Sequence, residues 1–265
     1  MSGFDKDWLG LREPIDQAAR SPMLISKLSR HLTAVKGPPA LLDIGCGTGS
    51  TWRSLHEALP EDIDWRLLDY DPELLAEAER QIGAQQRVKF HRHDLNDIDG
   101  LPLQGVAVVT ASAFFDLCSE SFCRRFVARL RDVRCGLYAA LTYDGHMQWS
   151  EPHPLDRTVV EDFNLHQRSD KGLGAALGPD ATAMLRSLFG ETGFRVEVAE
   201  SPWLMGQGHA PMQEAFLRGF VRPLTEIGRL STAEIEEWLS YRIDAIAKPG
   251  SSCVVGHLDL IALPD

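Results

Sequence analysis

Three aspartates stand at or just beyond the ends of short strand-like runs, and three glycines alternate behind the first of them. The first run reads Leu41-Leu42-Asp43-Ile44-Gly45-Cys46-Gly47-Thr48-Gly49, the second ends at Leu68-Asp69, and the third runs into His91-Arg92-His93-Asp94. Glycine reaches positive φ and lacks the Cβ that blocks close approach, so Gly45, Gly47 and Gly49 suit a loop whose backbone lies against a ligand. Asp43 cannot serve the apolar core. Its lone pairs need loop amides or a ligand amine. Asp69, 20 residues after Gly49, can accept from two vicinal hydroxyls at once. Tyr70 beside it offers an aromatic face. Asp94 and the amide of Leu95 can read an amine and a ring nitrogen.

The spacing narrows the ligand. A dinucleotide loop reads G-x-G-x-x-G, and its third glycine lets the next helix pack on the strand. Here the third glycine comes one residue early, at Gly49, and Ser50 holds the other place. An apolar pair, an acid and G-x-G-x-G resemble the first motif of the class I S-adenosylmethionine-dependent methyltransferases. Asp69 and Asp94 resemble the second and third motifs in order and spacing. The resemblance is motif-specific over residues 41–95 and looser beyond. It implies S-adenosyl-L-methionine as cofactor and S-adenosyl-L-homocysteine as product. It carries cofactor contacts to Asp43, Gly45, Cys46, Gly47, Gly49, Asp69, Tyr70, Asp94, Leu95 and Ala111. It also implies an N-terminal helix that covers the cofactor and supplies a cation for its carboxylate. Arg12, Asp16 and Arg20 are spaced by four and share one helix face. Arg20 is the first candidate and Arg12 the second. The alternative is an exposed i,i+4 ion pair.

These residues need elements to hold them. Strands are expected at Ala40–Ile44, Trp65–Leu68, Arg87–His91, Gly105–Thr110, Gly136–Thr142, Phe194–Ala199 and Ser252–Ala262. Pro14 and Pro22 each read as openers of short helices, the second capped by Ser21. Helices follow at Thr51–Leu59, from Pro72 to Gly83, at 119–131 (Cys118, Phe122, Phe126 and Leu130 recur every four), from Pro179 to Gly193, and through 210–247. Residues 145–178 read as a polar, irregular insertion. Alternation implies an α/β, doubly wound, Rossmann-like sheet of about seven mostly parallel strands, with helices on both faces and a helical lid. The resemblance adds that the last strand runs antiparallel between the fifth and sixth. The expected organisation is one domain over 1–265, with a cap at 1–36, a cofactor half at 37–143, and substrate-side insertions at 144–178 and 201–249.

Transfer from a sulfonium is an in-line displacement with a good leaving group, so the protein aligns the nucleophile and strips its water. A hydroxyl or amine acceptor also needs a base. Phe114-Phe115-Asp116 follows strand four and Tyr143-Asp144-Gly145-His146 follows strand five. His146 is the first candidate base because its ordinary pKa suits the task. Asp116 is next, and Tyr143 joins them. Trp149, His153, Asn164, His166, Gln167, Arg168, Asp170 and Lys171 give the insertion many hydrogen-bonding groups, which suggests a small polar acceptor. His146, His153 and His166 match no zinc spacing, so no metal is expected.

Net charge is −11, from 27 basic and 38 acidic residues, which disfavours nucleic acid as substrate. No amine-binding Asn/Asp-Pro-Pro-Tyr motif follows strand four, where Ala111-Ser112-Ala113-Phe114 stands. No apolar run approaches a membrane span, and the N-terminus lacks the pattern of a signal peptide. Five cysteines without a C-x-x-C favour a reducing, cytoplasmic setting. The expectation is an enzyme methylating O or N of a small metabolite, with a homodimer as an assembly open to it. The alternatives are a cofactor-binding protein of the same fold without turnover, and a protein or RNA methyltransferase. Trp203-Leu204-Met205 reads as a lid hinge or a contact.

Overall fold

The computed structural model describes residues 6–265. Two helices come first, α1 (Lys6–Ala19) and α2 (Pro22–Ala34). The Ser21 side chain accepts from the Leu24 amide and caps α2, with Pro22 in the turn that needs no amide hydrogen. Pro14 opens no helix; it lies inside α1. Arg12 pairs with Asp16 across it, and Glu13 beside it holds Arg53 of a later helix.

The sheet is then laid down in alternation. Its elements are β1 (Ala40–Ile44), α3 (Ser50–Leu55), β2 (Asp64–Asp69), α4 (Pro72–Ile82), β3 (Val88–Arg92), β4 (Val106–Ser112), α5 (Glu120–Asp132), β5 (Gly136–Trp149), α6 (Asp156–Gln167), α7 (Ala181–Gly190), β6 (Phe194–Glu200), β7 (Trp203–Met205), α8 (Ala210–Arg218), α9 (Val221–Ile227), α10 (Thr232–Ile246) and β8 (Cys253–Pro264). Strand order is β3-β2-β1-β4-β5-β8-β6, with β8 antiparallel to both neighbours, as the resemblance implied. Phe122, Phe126 and Leu130 of α5 and Leu185 and Phe189 of α7 fill one face of the sheet. Leu24, Leu28 and Leu32 of α2, with Leu75 and Ile82 of α4, fill the other. The sheet is therefore doubly wound.

Four elements differ from expectation. The sheet has eight strands because β7 pairs with β8 in line with β6. The break between β6 and β7 falls at Ser201-Pro202, where proline offers no amide to the ladder. Helix α3 is shorter than expected, since its first turns give way at His56. Strand β5 does not stop at Thr142. It runs on through Trp149, paired with Cys253–Val255 of β8, with register breaks between Ala139 and Thr142 and between Tyr143 and Met147. Residues 145–178 are therefore not irregular throughout: they hold the end of β5 and all of α6.

The long β5–β8 ribbon carries a third core. Tyr143, Val159, Trp203, Met212, Phe216, Phe220 and Trp238 pack there, joining α6, β7, α8, the chain just before α9, and α10 to the end of the sheet where β1 and β4 also finish. Arg242 is buried, donates to Asp156 and the Glu151 carbonyl, and lies 4.6 Å from the Trp149 ring centre. No described helix is long and apolar enough to cross a membrane.

Candidate active site

In open α/β sheets, ligands lie beyond the carboxyl ends of the strands where strand order switches. Here β1 and β4 meet at that point, and the glycine loop leaves β1 there. Gly45, Gly47 and Gly49 have φ of +61°, +54° and +84°. A Cβ on Gly49 would stand 2.8 Å from Ile82 Cδ1, so only glycine lets α4 close on the loop. The Cys46 amide donates to the Leu68 carbonyl at 3.0 Å, and the Gly47 amide to Asp69 Oδ2 at 2.8 Å. The other oxygen of Asp69 accepts from the Asp71 amide. Burial raises the Asp69 carboxyl, while those amides pull it back. Burial also pushes the Cys46 thiol well up, so Cys46 fills space and does not react.

Asp43 is fully buried. Its Oδ1 accepts from Thr110 Oγ1 at 2.7 Å, and its Oδ2 has no partner among the described residues. Burial raises its pKa from 3.8 to about 7, against the pull of Thr110 and the charge of Arg20. Arg20 is buried just past the end of α1. Its Nη2 donates to Ser112 Oγ at 3.1 Å, while Nε and Nη1 have no partner among the described residues. No described ion pair joins the two. A buried carboxylate and a buried guanidinium, each short of a partner, suit the two ends of an amino-acid zwitterion. The methionine moiety of S-adenosylmethionine is such a group, and Arg20, Asp43 and the glycine loop fit it.

Helix α1 lies over this loop. Leu9 Cδ1 would stand 3.7 Å from a Cβ on Gly47. Glu13 holds Arg53, which also donates to the Thr48 carbonyl at 2.6 Å. Arg12, the second candidate cation, is already engaged. It is held by Asp16 at 2.8 Å and lies 5.3 Å from the Trp203 ring centre, with Trp203 Nε1 donating to Asp16. The pair is nearly buried rather than exposed, because β7 covers it. Trp203-Leu204-Met205 is thus a seat for α1.

At the rim, Tyr70 is 49% exposed, with Arg92 5.4 Å from its ring centre. Asp94 is exposed and closes a turn, accepting from the amide and side chain of Asn96, which lower its pKa. Leu95 and Ala111 are buried.

The catalytic candidates separate. Asp116 is buried in the short helical turn Phe115–Leu117 after β4, and its Oδ1 has no partner among the described residues. Burial raises its pKa from 3.8 to about 6; its own backbone amide and the charges of Arg12 and Lys171 oppose the rise. Tyr143 is buried, and burial followed by the nearby Asp144 and Asp116 charges pushes its hydroxyl up. It donates to Asn164 Oδ1 at 2.8 Å, and Asn164 Nδ2 donates to the Gly145 carbonyl. His146 is not brought to this group. Its side chain is 87% exposed, 3.2 Å from Asp144, because β5 continues past the sheet and carries residue 146 on its solvent side. His166 lies between Glu226 and Lys171, at 2.8 and 3.3 Å. Trp149 and His153 serve the packing of α6 and α10. No described group of His, Cys, Asp and Glu could hold a metal.

Sequence reasoning missed Thr110, Ser112 and Asp259. Each is a polar residue inside an apolar strand, and a buried polar group must be hydrogen-bonded to something. That signal was present, but the partner was not readable.

A family described as "Methyltransferase domain" matches residues 41–134, the stretch that holds the loop, Asp43, Asp69 and Asp116. The cyclopropane synthase MmaA2 of Mycobacterium tuberculosis superposes with a TM-score of 0.50 at 15% identity, covering 97% of this chain and 94% of that one. BH2331 of Bacillus halodurans C-125 gives 0.50 at 14% identity over 92% and 98%. A stretch of 85 residues is 29% identical to the non-reducing polyketide synthase tazA of Aspergillus terreus. It is 31% of this chain and 3% of that synthase, so the chain spans a small part of that relative's length. Residues 41–134 thus match a methyltransferase domain, and the whole chain shares the Rossmann-like α/β fold of these two structures.

Proposed function

We propose that this chain moves a methyl group to an O or N atom of a small polar metabolite. The observation that carries the reading is Asp116, a buried carboxyl with an unpartnered oxygen and a pKa raised to about 6, at the carboxyl end of β4. At neutral pH it is mostly ionised and can accept a proton from a hydroxyl or ammonium. S-adenosylmethionine, when bound, supplies an activated methyl on sulfur. Arg20 would hold the cofactor carboxylate, Asp43 and the loop carbonyls its ammonium, Asp69 the ribose hydroxyls, and Tyr70 and Asp94 the adenine edge. Tyr143, fixed by Asn164, would orient the acceptor. His146 has a weaker claim as base than Asp116, since water already surrounds it. Residues 144–178 and 201–249 would form the substrate-side lid and exclude water. A small acceptor also agrees with the net charge of −11, which opposes polyanions.

The test is incubation with methyl-labelled S-adenosylmethionine and a fractionated metabolite extract. Label should enter a small-molecule fraction with the wild type and not with Asp116→Asn. Label in protein or RNA, or in no fraction, would overturn the reading.

A further inference from the structure

We propose that Asp259 is a positioning residue for the cofactor, holding Arg20 where the carboxylate of the methionine moiety meets it. This rests on the reading of Arg20 given above. Asp259 lies in β8 with no exposure at all. Its Oδ2 accepts from the Ser21 amide and from Tyr138 Oη, both at 2.9 Å. Its Oδ1 accepts from the Leu141 amide at 2.8 Å. A carboxylate in the middle of an apolar strand is costly unless it is fully met, and three donors meet this one.

The donors show what the carboxylate holds. Ser21 directly follows Arg20, so Asp259 pins the backbone at the corner between α1 and α2. Ser112 pins the guanidinium tip. Between those two points the free Nε and Nη1 are fixed in direction before any ligand arrives, and such preorganisation lowers the cost of binding. The third donor, Leu141, has φ of +56°, a left-handed conformation that a bulky residue avoids. It lies at the register break of β5, and its amide turns to Asp259 rather than into the ladder. Asn cannot replace Asp here. Whichever oxygen becomes NH2, it faces an amide N–H, of Leu141 or of Ser21.

The experiment is calorimetric titration of the full chain with S-adenosylhomocysteine and with 5′-methylthioadenosine, which keeps the nucleoside and lacks both the carboxylate and the ammonium. The wild type should prefer the first ligand, and Arg20→Ala should lose the carboxylate's share of that preference while the ammonium's share at Asp43 stays. Asp259→Asn should weaken S-adenosylhomocysteine about tenfold or more while leaving methylthioadenosine nearly unchanged, the size expected for a misplaced charged hydrogen bond. Tyr138→Phe removes one donor and should lose part of the same preference. It carries the test if Asp259→Asn does not fold. Equal weakening of both ligands, or an unchanged preference, would overturn the role of Asp259. If the wild type shows no preference, the reading of Arg20 falls and this one with it. If Arg20→Ala lowers the preference and Asp259→Asn keeps it, only the role of Asp259 falls.

Discussion

Glu13 and Arg53 face each other in a bidentate pair, Oε1 with Nε and Oε2 with Nη2, each at 2.6 Å. Arg53 belongs to α3 and also holds the Thr48 carbonyl, so the pair clamps α1 onto the glycine loop. A cofactor bound under α1 would leave only when that clamp opens. Glu13→Gln should speed release of S-adenosylhomocysteine about threefold to tenfold, the range for a partly exposed pair contributing about 1 kcal/mol. Stopped-flow dissociation reads this directly. An unchanged rate would mean that α1 is no lid.

Asp116 links activity to stability. Its pKa is raised from 3.8 to about 6, so the folded state holds that proton more tightly than the unfolded chain. Stability is therefore lost as pH rises from about 4 to about 6, by up to about 3 kcal/mol. Asp116→Asn should melt higher than the wild type at pH 8, and the gap should close towards pH 4. Methyl transfer should fall in the wild type below pH about 6 and vanish in the variant. A variant that keeps full turnover would remove Asp116 as base.

Much of the fold from β1 to α4 was legible, because glycines, prolines and caps punctuate it. Asp71 caps α4, Pro72 opens it and Gly83 closes it, all by local chemistry. The end of β5 was not legible. Asp144-Gly145-His146 reads as following the strand, and the strand persists only because Cys253–Val255 pairs with it from more than 100 residues away. Helix α6 hid because only Val159 and Asp162 of its residues are buried, too few to write a periodic stripe. In the site, Asp43 and the loop could be read from neighbours in sequence. The contrast between Arg20, left with free donors, and Arg12, claimed by Asp16 and Trp203, depends on β7. That strand has three residues and no pattern of its own.

The loop makes a packing prediction independent of any ligand. Gly49→Ala puts a Cβ 2.8 Å from Ile82 Cδ1 at a φ of +84°. The left-handed conformation alone costs about 1–2 kcal/mol, and the clash adds to it. Chemical denaturation should show at least that loss. In a double-mutant cycle with Ile82→Ala, which carries its own cavity cost, the combined loss should fall short of the sum of the two single losses by the size of the clash. Equal stability of Gly49→Ala and wild type would contradict the close approach of α4.

The central claim is that Arg20 and Asp43 grip the two ends of the cofactor's amino acid. Its most direct test is titration of S-adenosylmethionine into the wild type and Arg20→Ala by calorimetry. Losing a charge-assisted contact should weaken binding about tenfold to a hundredfold. Equal affinity in the two proteins, or no binding by the wild type, would contradict the account.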